Sequence, residues 1–415
     1  MSVGARDREY ALQPVPLAAR LPLIAVILLW ASLTLDPSAP YLAMEWGMKF
    51  SFLTLLIATL TANIVLSIFS SLSAYIASKE GLTYALAARN VFGDRGVVVP
   101  ALWAGVVSVG WLAFSIGVVV DAIIAYTGLP SITYYILVII FTLLFSTTAY
   151  LGVKHIVKLA WIGVPLLIIL IIAGATLSLT IHGPLEIGGF DLASYAFLTS
   201  LILGTFVNGS ITLSFDYQRF AKTPRDAIVT AFTNFLFFWS FIILLGAIPA
   251  AVLHKDLITS YIYLGLAPLG IIALFLLAWT SADNQLYSAS LSWTLVVNKF
   301  GKNIDRKKIV LTAAILTIVL ALIKLHTFAV QWLVLMTTIA LPVGVILWSD
   351  YYIIRRLTRD DWGLGRTINW KAFLTWFIGS LLIYYLNYIL QLWYGLLLCF
   401  LAIAVLYIVL ARIKP

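Results

Sequence analysis

The sequence predicts an all-α polytopic membrane protein with twelve transmembrane helices. Of its 415 residues, 62% are hydrophobic and only 10% are charged. Apolar runs of near-spanning length follow one another along the chain, and a hydrocarbon core about 30 Å thick needs about 20 such residues per helix. This composition excludes a soluble globular protein.

Each apolar run predicts one span, and two of the runs are interrupted by polar residues, prolines or glycines. The predicted spans are Leu21–Gly47 (interrupted), Phe50–Ser78, Val97–Tyr126, Ile132–Tyr150, Ile156–Ile181, Ser194–Phe215 (interrupted), Ala227–Leu253, Leu269–Val297, Ile309–Ile323, Phe328–Trp348, Phe373–Leu386 and Leu392–Leu410. A polar N-terminal segment, residues 1–20, precedes them. An even number of crossings places both termini on one side of the membrane.

The distribution of positive charge predicts the orientation. Of the 26 Lys and Arg residues, all but Lys49, Lys255 and Lys324 fall on the side of the termini. Short loops rich in Lys and Arg remain in the cytoplasm, so we expect a multi-pass protein of the cell membrane with cytoplasmic termini. The net charge of +9 then reflects topology, and no nucleic-acid partner is expected.

The segment Ala278–Tyr287 is the most polar part of any predicted span, with the hydroxyls of Thr280 and Ser281, the carboxylate of Asp283 and the carboxamide of Asn284 in an apolar stretch. Such groups are costly in hydrocarbon and usually line an enclosed pathway or binding cavity. The segment therefore predicts transport. An intramembrane enzyme is a remote alternative, because the paired Asp-rich or Ser/His motifs that it would need are not visible.

The first and sixth spans are expected to be broken near their middle. Asp36–Pro40 brings two prolines and an ionisable group to membrane depth, and Gly204–Ser210 contains two glycines and Asn208. Breaks five spans apart are typical of inverted-repeat transporters with a site near the midplane. Two alternatives remain open. Leu21–Leu35 can be a complete short span, and the small residues of the sixth span can serve close helix packing.

Six local patterns resemble the nucleobase:cation symporter-1 family, most closely its cytosine-permease-like members. They are Lys79–Thr83, Ala88–Gly93, Val109–Trp111, Asp216–Ala221, Trp279–Tyr287, and Leu341–Val345 followed by Asp350 and Tyr351. The resemblance implies a LeuT-type core of five plus five inverted-repeat helices in residues 21–349. A cytoplasmic loop, 350–370, and two additional helices with a short tail, 371–415, would follow.

The function that the resemblance implies is secondary active transport. A nucleobase or related small heterocycle such as cytosine would be imported by alternating access, coupled to Na⁺ or H⁺. An amino-acid, amine or thiamine-precursor carrier of the same fold is the alternative. No cofactor is predicted beyond the coupling ion. The expected partners are the substrate and the lipid bilayer, and a monomer is the working interpretation.

The resemblance also implies a substrate site. Trp111 would stack on the substrate ring and Phe206 would cover its other face, although packing between helices is an alternative for both. Asn284 would pair with the ring edge through its carboxamide. A smaller set completes the predicted substrate contacts: Asn208, Gly209 and Ser108.

Thr280 and Ser281 match hydroxyl positions that bind Na⁺ together with main-chain carbonyls in sodium-coupled relatives. The alternative is that each hydroxyl bonds back to the preceding helical turn.

Asp36 departs from the family pattern. Facing the cavity, its carboxylate would bind Na⁺, take up a coupling proton or meet a cationic substrate group; at the outer interface it would only cap a helix.

Three further polar residues are predicted to act in coupling or gating. Asp283 lies between the proposed ion and substrate positions and has no defined role. Asp216 and Arg219 fall where the sixth span reaches the cytoplasm, so Arg219 is expected to pair there and close an inner gate. Anchoring by the positive-inside rule explains an Arg at that position equally well.

Overall fold

The computed structural model describes residues 10–151, 153–302, 304–358, 362, 366–392 and 394–413, and their regular secondary structure is helical. The predicted all-α fold is confirmed. The helices are α1 (Leu23–Thr34), α2 (Ser38–Lys49), α3 (Phe52–Glu80), α4 (Tyr84–Phe92), α5 (Val98–Thr127), α6 (Thr133–Leu151), α7 (Val153–His182), α8 (Leu192–Gln218), α9 (Pro224–Phe232), α10 (Ser240–Leu253), α11 (Leu257–Tyr263), α12 (Ala267–Lys299), α13 (Arg306–Leu322), α14 (Ala329–Ser349), α15 (Arg355–Thr358), α16 (Trp370–Ile383) and α17 (Gly395–Arg412). Short π-helical segments join α9 to α10 (Thr233–Trp239), join α14 to α15 (Asp350–Ile354) and extend α16 (Tyr384–Ile389).

Nine helices in the described ranges are long and apolar enough to cross a membrane, and the bent pair α1–α2 makes a tenth when it is counted as one span. The shorter helices α6 and α13 lie where the fourth and ninth spans are predicted. With them the helices match the twelve predicted spans in order. Crossing by these two shorter helices stays a prediction.

The predicted break in the first span is present. α1 ends at Thr34 and α2 begins at Ser38, with a bend of 54° between their axes. Pro37 has no N–H for a continuous helix, and the Asp36 carboxylate accepts a hydrogen bond of 2.8 Å from the Ser38 N–H. An outside loop after Leu35, the alternative left open above, does not form, because α2 continues the chain as a largely buried helix packed on α10.

The predicted break in the sixth span is absent, because α8 is helical from Leu192 to Gln218. The Ser210 and Thr212 hydroxyls donate to carbonyls three and four residues earlier, at 2.8 and 2.9 Å, and so add to the helical bonding. Gly204 permits close packing: a Cβ there would lie 2.6 Å from the Leu333 carbonyl oxygen of α14. Close helix packing, the alternative left open above, therefore explains this glycine.

The helices form two groups, with α1, α2, α3, α8, α9 and α10 in one and α5, α6, α12 and α13 in the other. The same helix–helix contact recurs five spans later in the chain. α1 packs on α7 as α8 packs on α14, and α5 packs on α6 as α12 packs on α13. This correspondence is what an inverted repeat of two five-helix units produces.

The two additional helices, α16 and α17, pack on α14 and on each other. Asp350, at the end of α14, anchors them. Its carboxylate accepts hydrogen bonds from the Trp362 indole and Arg366 guanidinium at 3.0 Å and from the Tyr407 hydroxyl of α17 at 2.5 Å. Residues 359–361 and 363–365 of the predicted cytoplasmic loop lie outside the described residues, as do residues 1–9 of the N-terminal segment.

Candidate substrate cavity

A small cavity lies beside the break between α1 and α2, at the junction of the two helix groups. Its lining combines aromatic side chains with a carboxylate and two carboxamides. The lining residues are Leu33, Asp36, Ser38, Trp111, Thr205, Phe206, Asn208, Gly209, Leu213, Trp239 and Gln285. Five of the predicted site residues therefore meet in one place, although they come from three different helical segments of the chain.

Trp111 of α5 forms one aromatic part of the lining, and its neighbours fix its ring plane. The Trp332 ring meets it edge-on, with centroids 6.1 Å apart and an interplanar angle of 80°, and Phe114 packs at 5.6 Å. Gly110 permits this arrangement, because a Cβ at that position would lie 2.3 Å from the Trp332 ring. The Val109–Trp111 motif thus combines an aromatic platform with the space that its supporting ring requires.

Phe206 of α8 forms the other aromatic part, together with Trp239. Their rings meet edge-on with centroids 4.8 Å apart, and Phe235 approaches Phe206 in the same way at 5.5 Å. Phe206 and Trp111 are only 8% and 9% exposed. Sequence reasoning missed Trp239, because an aromatic residue in an apolar span carries no signal that separates cavity lining from packing.

The Asp36 carboxylate is held at the helix break. Besides the Ser38 N–H, it accepts from the Ser115 hydroxyl of α5, whose oxygen lies 2.7 and 2.8 Å from the two carboxylate oxygens. The Ser281 hydroxyl of α12 lies near this carboxylate without a hydrogen bond of standard geometry. Asp36 is 7% exposed and lines the cavity, so it both caps α2 and faces the candidate site.

α12 presents Gln285, rather than Asn284, to the cavity. The Gln285 side-chain oxygen is buried and has no hydrogen-bond partner among the described residues. The Asn284 amide instead donates to the Ser32 hydroxyl of α1 at 3.0 Å and to the Thr280 carbonyl at 2.9 Å. The signal that could have identified Gln285 is helical phase, since it lies one turn after Ser281 on the same face.

The candidate sodium ligands lie at the contact between α1 and α12. The Thr280 hydroxyl donates to the Leu277 carbonyl at 2.9 Å, as the back-bonding alternative expects, and also approaches the Ser32 carbonyl at 3.4 Å. In the part of the chain that the structure describes, the buried Ser281 hydroxyl has no hydrogen-bond partner of standard geometry. Neutral hydroxyl and carbonyl oxygens are suitable donors for a monovalent cation. Among the described residues no group of three or more His, Cys, Asp or Glu could hold a metal ion.

Asp216 and Arg219 lie together at the end of α8 on the side of the termini. The Asp216 carboxylate accepts from the Tyr84 N–H at 3.1 Å and from the Ser288 hydroxyl at 2.5 Å. Arg219 donates to the Asp216 main-chain carbonyl at 3.0 Å and to the Tyr287 hydroxyl at 3.1 Å. Both residues are fully buried, so their polar groups join α4, α8 and α12 at this end of the molecule.

Two other predicted residues do not line the cavity. Ser108 is 1% exposed on α5, about one turn before Trp111, and Asp283 is fully buried on α12. The roles assigned to them from the sequence stay predictions.

A cavity with aromatic and polar lining at a helix break, enclosed by two five-helix units, defines a secondary transporter. Residues 37–389 match the family described as a permease for cytosine/purines, uracil, thiamine and allantoin. The chain belongs to this family, and it is a multi-pass membrane permease, not an enzyme.

Two curated relatives illustrate the family. The chain is 29% identical over 389 residues to the cytosine permease of Escherichia coli (strain K12), with 90% of this chain and 88% of the relative covered. It is 26% identical over 377 residues to a purine-uracil permease of Arabidopsis thaliana, with 79% and 61% covered.

Solved structures share the fold. A nucleobase-cation-symport-1 family transporter, in a closed conformation with bromovinylhydantoin bound, has a TM-score of 0.79 at 17% identity and covers 98% of this chain and 96% of its own. A Na⁺-coupled sialic acid symporter has a TM-score of 0.69 at 15% identity, with 99% and 92% covered. The predicted family and LeuT-type fold are confirmed.

Proposed function

We propose that the protein imports a nucleobase or closely related heterocycle, with an amino-bearing ring such as cytosine as the preferred substrate. The observation that carries the proposal is the composition of one cavity. Trp111 and Phe206 offer aromatic surfaces, and Asp36, Asn208 and Gln285 offer hydrogen-bonding groups to a ring between them. The permeases for cytosine, purines and uracil in the family support the same substrate class.

The aromatic pair accounts for recognition of a planar ring. Stacking of a base on an aromatic side chain is worth about 1–3 kcal/mol. Both rings are held by edge-on aromatic neighbours, so little side-chain entropy remains to be lost when a substrate binds. A flexible aliphatic amine would gain much less from this lining.

The polar groups account for recognition of the ring edge. A carboxylate accepts hydrogen bonds and donates none, whereas each carboxamide both donates and accepts. Asp36 is therefore matched to an exocyclic amino group, and Gln285 to a neighbouring carbonyl or ring nitrogen. Uracil would present a carbonyl oxygen where cytosine presents its amino group. We therefore expect cytosine to bind more tightly than uracil.

Coupling and orientation complete the proposal. Thr280, Ser281 and the Ser32 carbonyl are the candidate Na⁺ ligands, and Asp36 is the candidate proton carrier if the coupling ion is H⁺. The buried contacts of Asp216 and Arg219 would keep the inner gate closed. The excess of Lys and Arg on the side of the termini supports a cell-membrane location with cytoplasmic termini.

The test is a binding screen on purified protein, with and without Na⁺. Its ligands are cytosine, uracil, adenine, hydantoin, allantoin, an aminopyrimidine precursor of thiamine, and an aliphatic amine as control. Tightest binding of cytosine is expected. Binding of the aliphatic amine alone would replace the proposal with an amine carrier, the candidate that the Asp36 carboxylate favours.

Asp36→Asn tests the assigned polar contact. It keeps the size of the side chain and adds a donor, so the ratio of cytosine to uracil affinity should fall. An unchanged ratio would show that Asp36 does not contact the amino group.

A further inference from the structure

A second, larger cavity lies on the opposite side of α8, between the transport core and the two additional helices. Its volume is about 490 Å³, within the range of small-molecule binding sites in proteins. Leu203 and Val207 of α8 line it, while Phe206 and Asn208 of the same helix line the substrate cavity. We call this second cavity the lateral cleft.

The lateral cleft is apolar over most of its length and opens toward the bilayer. No Asp, Glu, Lys or Arg is found among the described residues that line it. Three apolar lining residues remain substantially exposed: Ile68 at 46%, Phe197 at 40% and Leu397 at 63%. In a membrane-spanning protein these faces contact hydrocarbon, because no water is present at this depth to cover them.

The length of the lateral cleft corresponds to one leaflet of a bilayer. Its lining on α8 extends from Ala193 to Val207, which is about 20 Å at 1.5 Å per residue. Half of the hydrocarbon core is about 15 Å thick, and the polar interface adds several ångströms to that thickness. The cleft therefore has the length of one lipid tail with the polar group that follows it.

The carboxamides of the lateral cleft lie at one end, although the hydroxyls of Thr61, Thr199, Ser200 and Thr337 also line it. Asn387, Gln391 and Tyr394 contribute to the lining where α16 ends and α17 begins. The starts of α3 and α8 lie together, since the Ser51 hydroxyl preceding α3 donates at 2.6 Å to the carbonyl of Gly189 preceding α8. By the predicted topology this end is at the outer surface. A lipid entering from the outer leaflet would place its ester and headgroup there.

We infer that the lateral cleft binds an acyl chain of a phospholipid from the outer leaflet. An apolar cavity of this size loses contact energy when nothing fills it, and lipid tails are the hydrocarbon available at its opening. A bound chain supplies the packing atoms behind α8 that the additional helices leave out. The lipid would therefore support the helix that carries Phe206 and Asn208.

The experiment uses the full chain in vesicles of phosphatidylethanolamine and phosphatidylglycerol that contain a phospholipid with a diazirine on one acyl chain. After irradiation and digestion, mass spectrometry locates the adducts. We expect them on residues 193–207 and 387–400, several-fold above those on Ile169 and Ile172, which are exposed on the membrane-spanning part of α7. Equal labelling of α7 and the lateral cleft would overturn the proposal.

A matched pair of variants tests the cavity itself. Leu397→Trp fills the lateral cleft, whereas Leu401→Trp adds the same ring one turn later on α17, at a residue that is 53% exposed and does not line it. Of these two variants, Leu397→Trp alone should reduce adducts on α8, by several-fold. Thr61→Phe fills the lateral cleft from α3 and should have the same effect. Undiminished labelling in both filled variants would refute the inference. Because labelling requires no transport, the result is independent of the proposed substrate.

Discussion

Replacement of two neighbouring carboxamides on α12 should separate substrate binding from structural support. The change is Gln285→Leu compared with Asn284→Leu, two substitutions of similar size at adjacent positions. The side-chain oxygens of both residues are buried without a hydrogen-bond partner among the described residues. The Asn284 amide nitrogen, however, donates two hydrogen bonds, at 3.0 and 2.9 Å. We therefore expect Gln285→Leu to change substrate affinity and Asn284→Leu to change the stability of the folded protein.

The magnitudes follow from these contacts. Gln285→Leu would leave one polar group of the bound ring unpaired, which costs about 1–3 kcal/mol, or about 5- to 150-fold in Kd. The folded protein without substrate loses no hydrogen bond that we observe at this side-chain oxygen, so its thermal stability should not fall. Asn284→Leu removes two hydrogen bonds, worth about 1 kcal/mol each, and should lower the Tm.

The assay is equilibrium binding of radiolabelled cytosine to purified protein, with a thermal unfolding curve for each variant without ligand. The expected result is weak binding with a normal Tm for Gln285→Leu and a lowered Tm for Asn284→Leu. Wild-type affinity in Gln285→Leu would refute the assignment of its carboxamide to the ring edge. A loss of stability in Gln285→Leu would instead indicate a structural role.

Three further predictions concern the substrate cavity and the candidate ion ligands near it. Trp111→Ala should weaken cytosine binding by about 1–3 kcal/mol through lost stacking, while Trp111→Phe retains part of it; normal uptake by correctly inserted Trp111→Ala protein would exclude stacking. Thr280→Ala and Ser281→Ala should each raise the Na⁺ concentration needed for half-maximal cytosine binding, and insensitivity of both would favour proton coupling. Gly110→Ala should lower uptake although it removes no polar group, because its Cβ would lie 2.3 Å from the Trp332 ring that supports Trp111; an unaffected uptake rate would show that this packing is not needed.

Much of the candidate site could be predicted from the sequence, and the errors have identifiable causes. The family resemblance points to Trp111, Phe206 and Asn208, and the cost of a carboxylate at membrane depth points to Asp36. Gln285 was missed because neighbouring residues on a helix point about 100° apart, and composition does not reveal which of them faces a cavity.

The first and sixth spans also differ in how far the local sequence determines the structure. Pro37 lacks a main-chain donor in any surroundings, so the break between α1 and α2 is a local consequence of the sequence. Glycines permit either a break or close packing. The proximity of Gly204 to the Leu333 carbonyl on α14 corresponds to packing, and α8 remains continuous.

The sequence by itself determined that this chain is a polytopic helical membrane protein with a broken first span and a polar segment in its eighth. These properties depend on the length, hydropathy and backbone chemistry of local segments. In a bilayer such local properties decide the structure, because the main-chain N–H and C=O groups of a spanning segment must form their hydrogen bonds within a helix. Only the tertiary structure decided which side chains share a cavity. It joined Asp36 to Ser115, turned Asn284 toward Ser32 and Gln285 toward the cavity, because contacts between distant helices depend on their mutual rotation and packing.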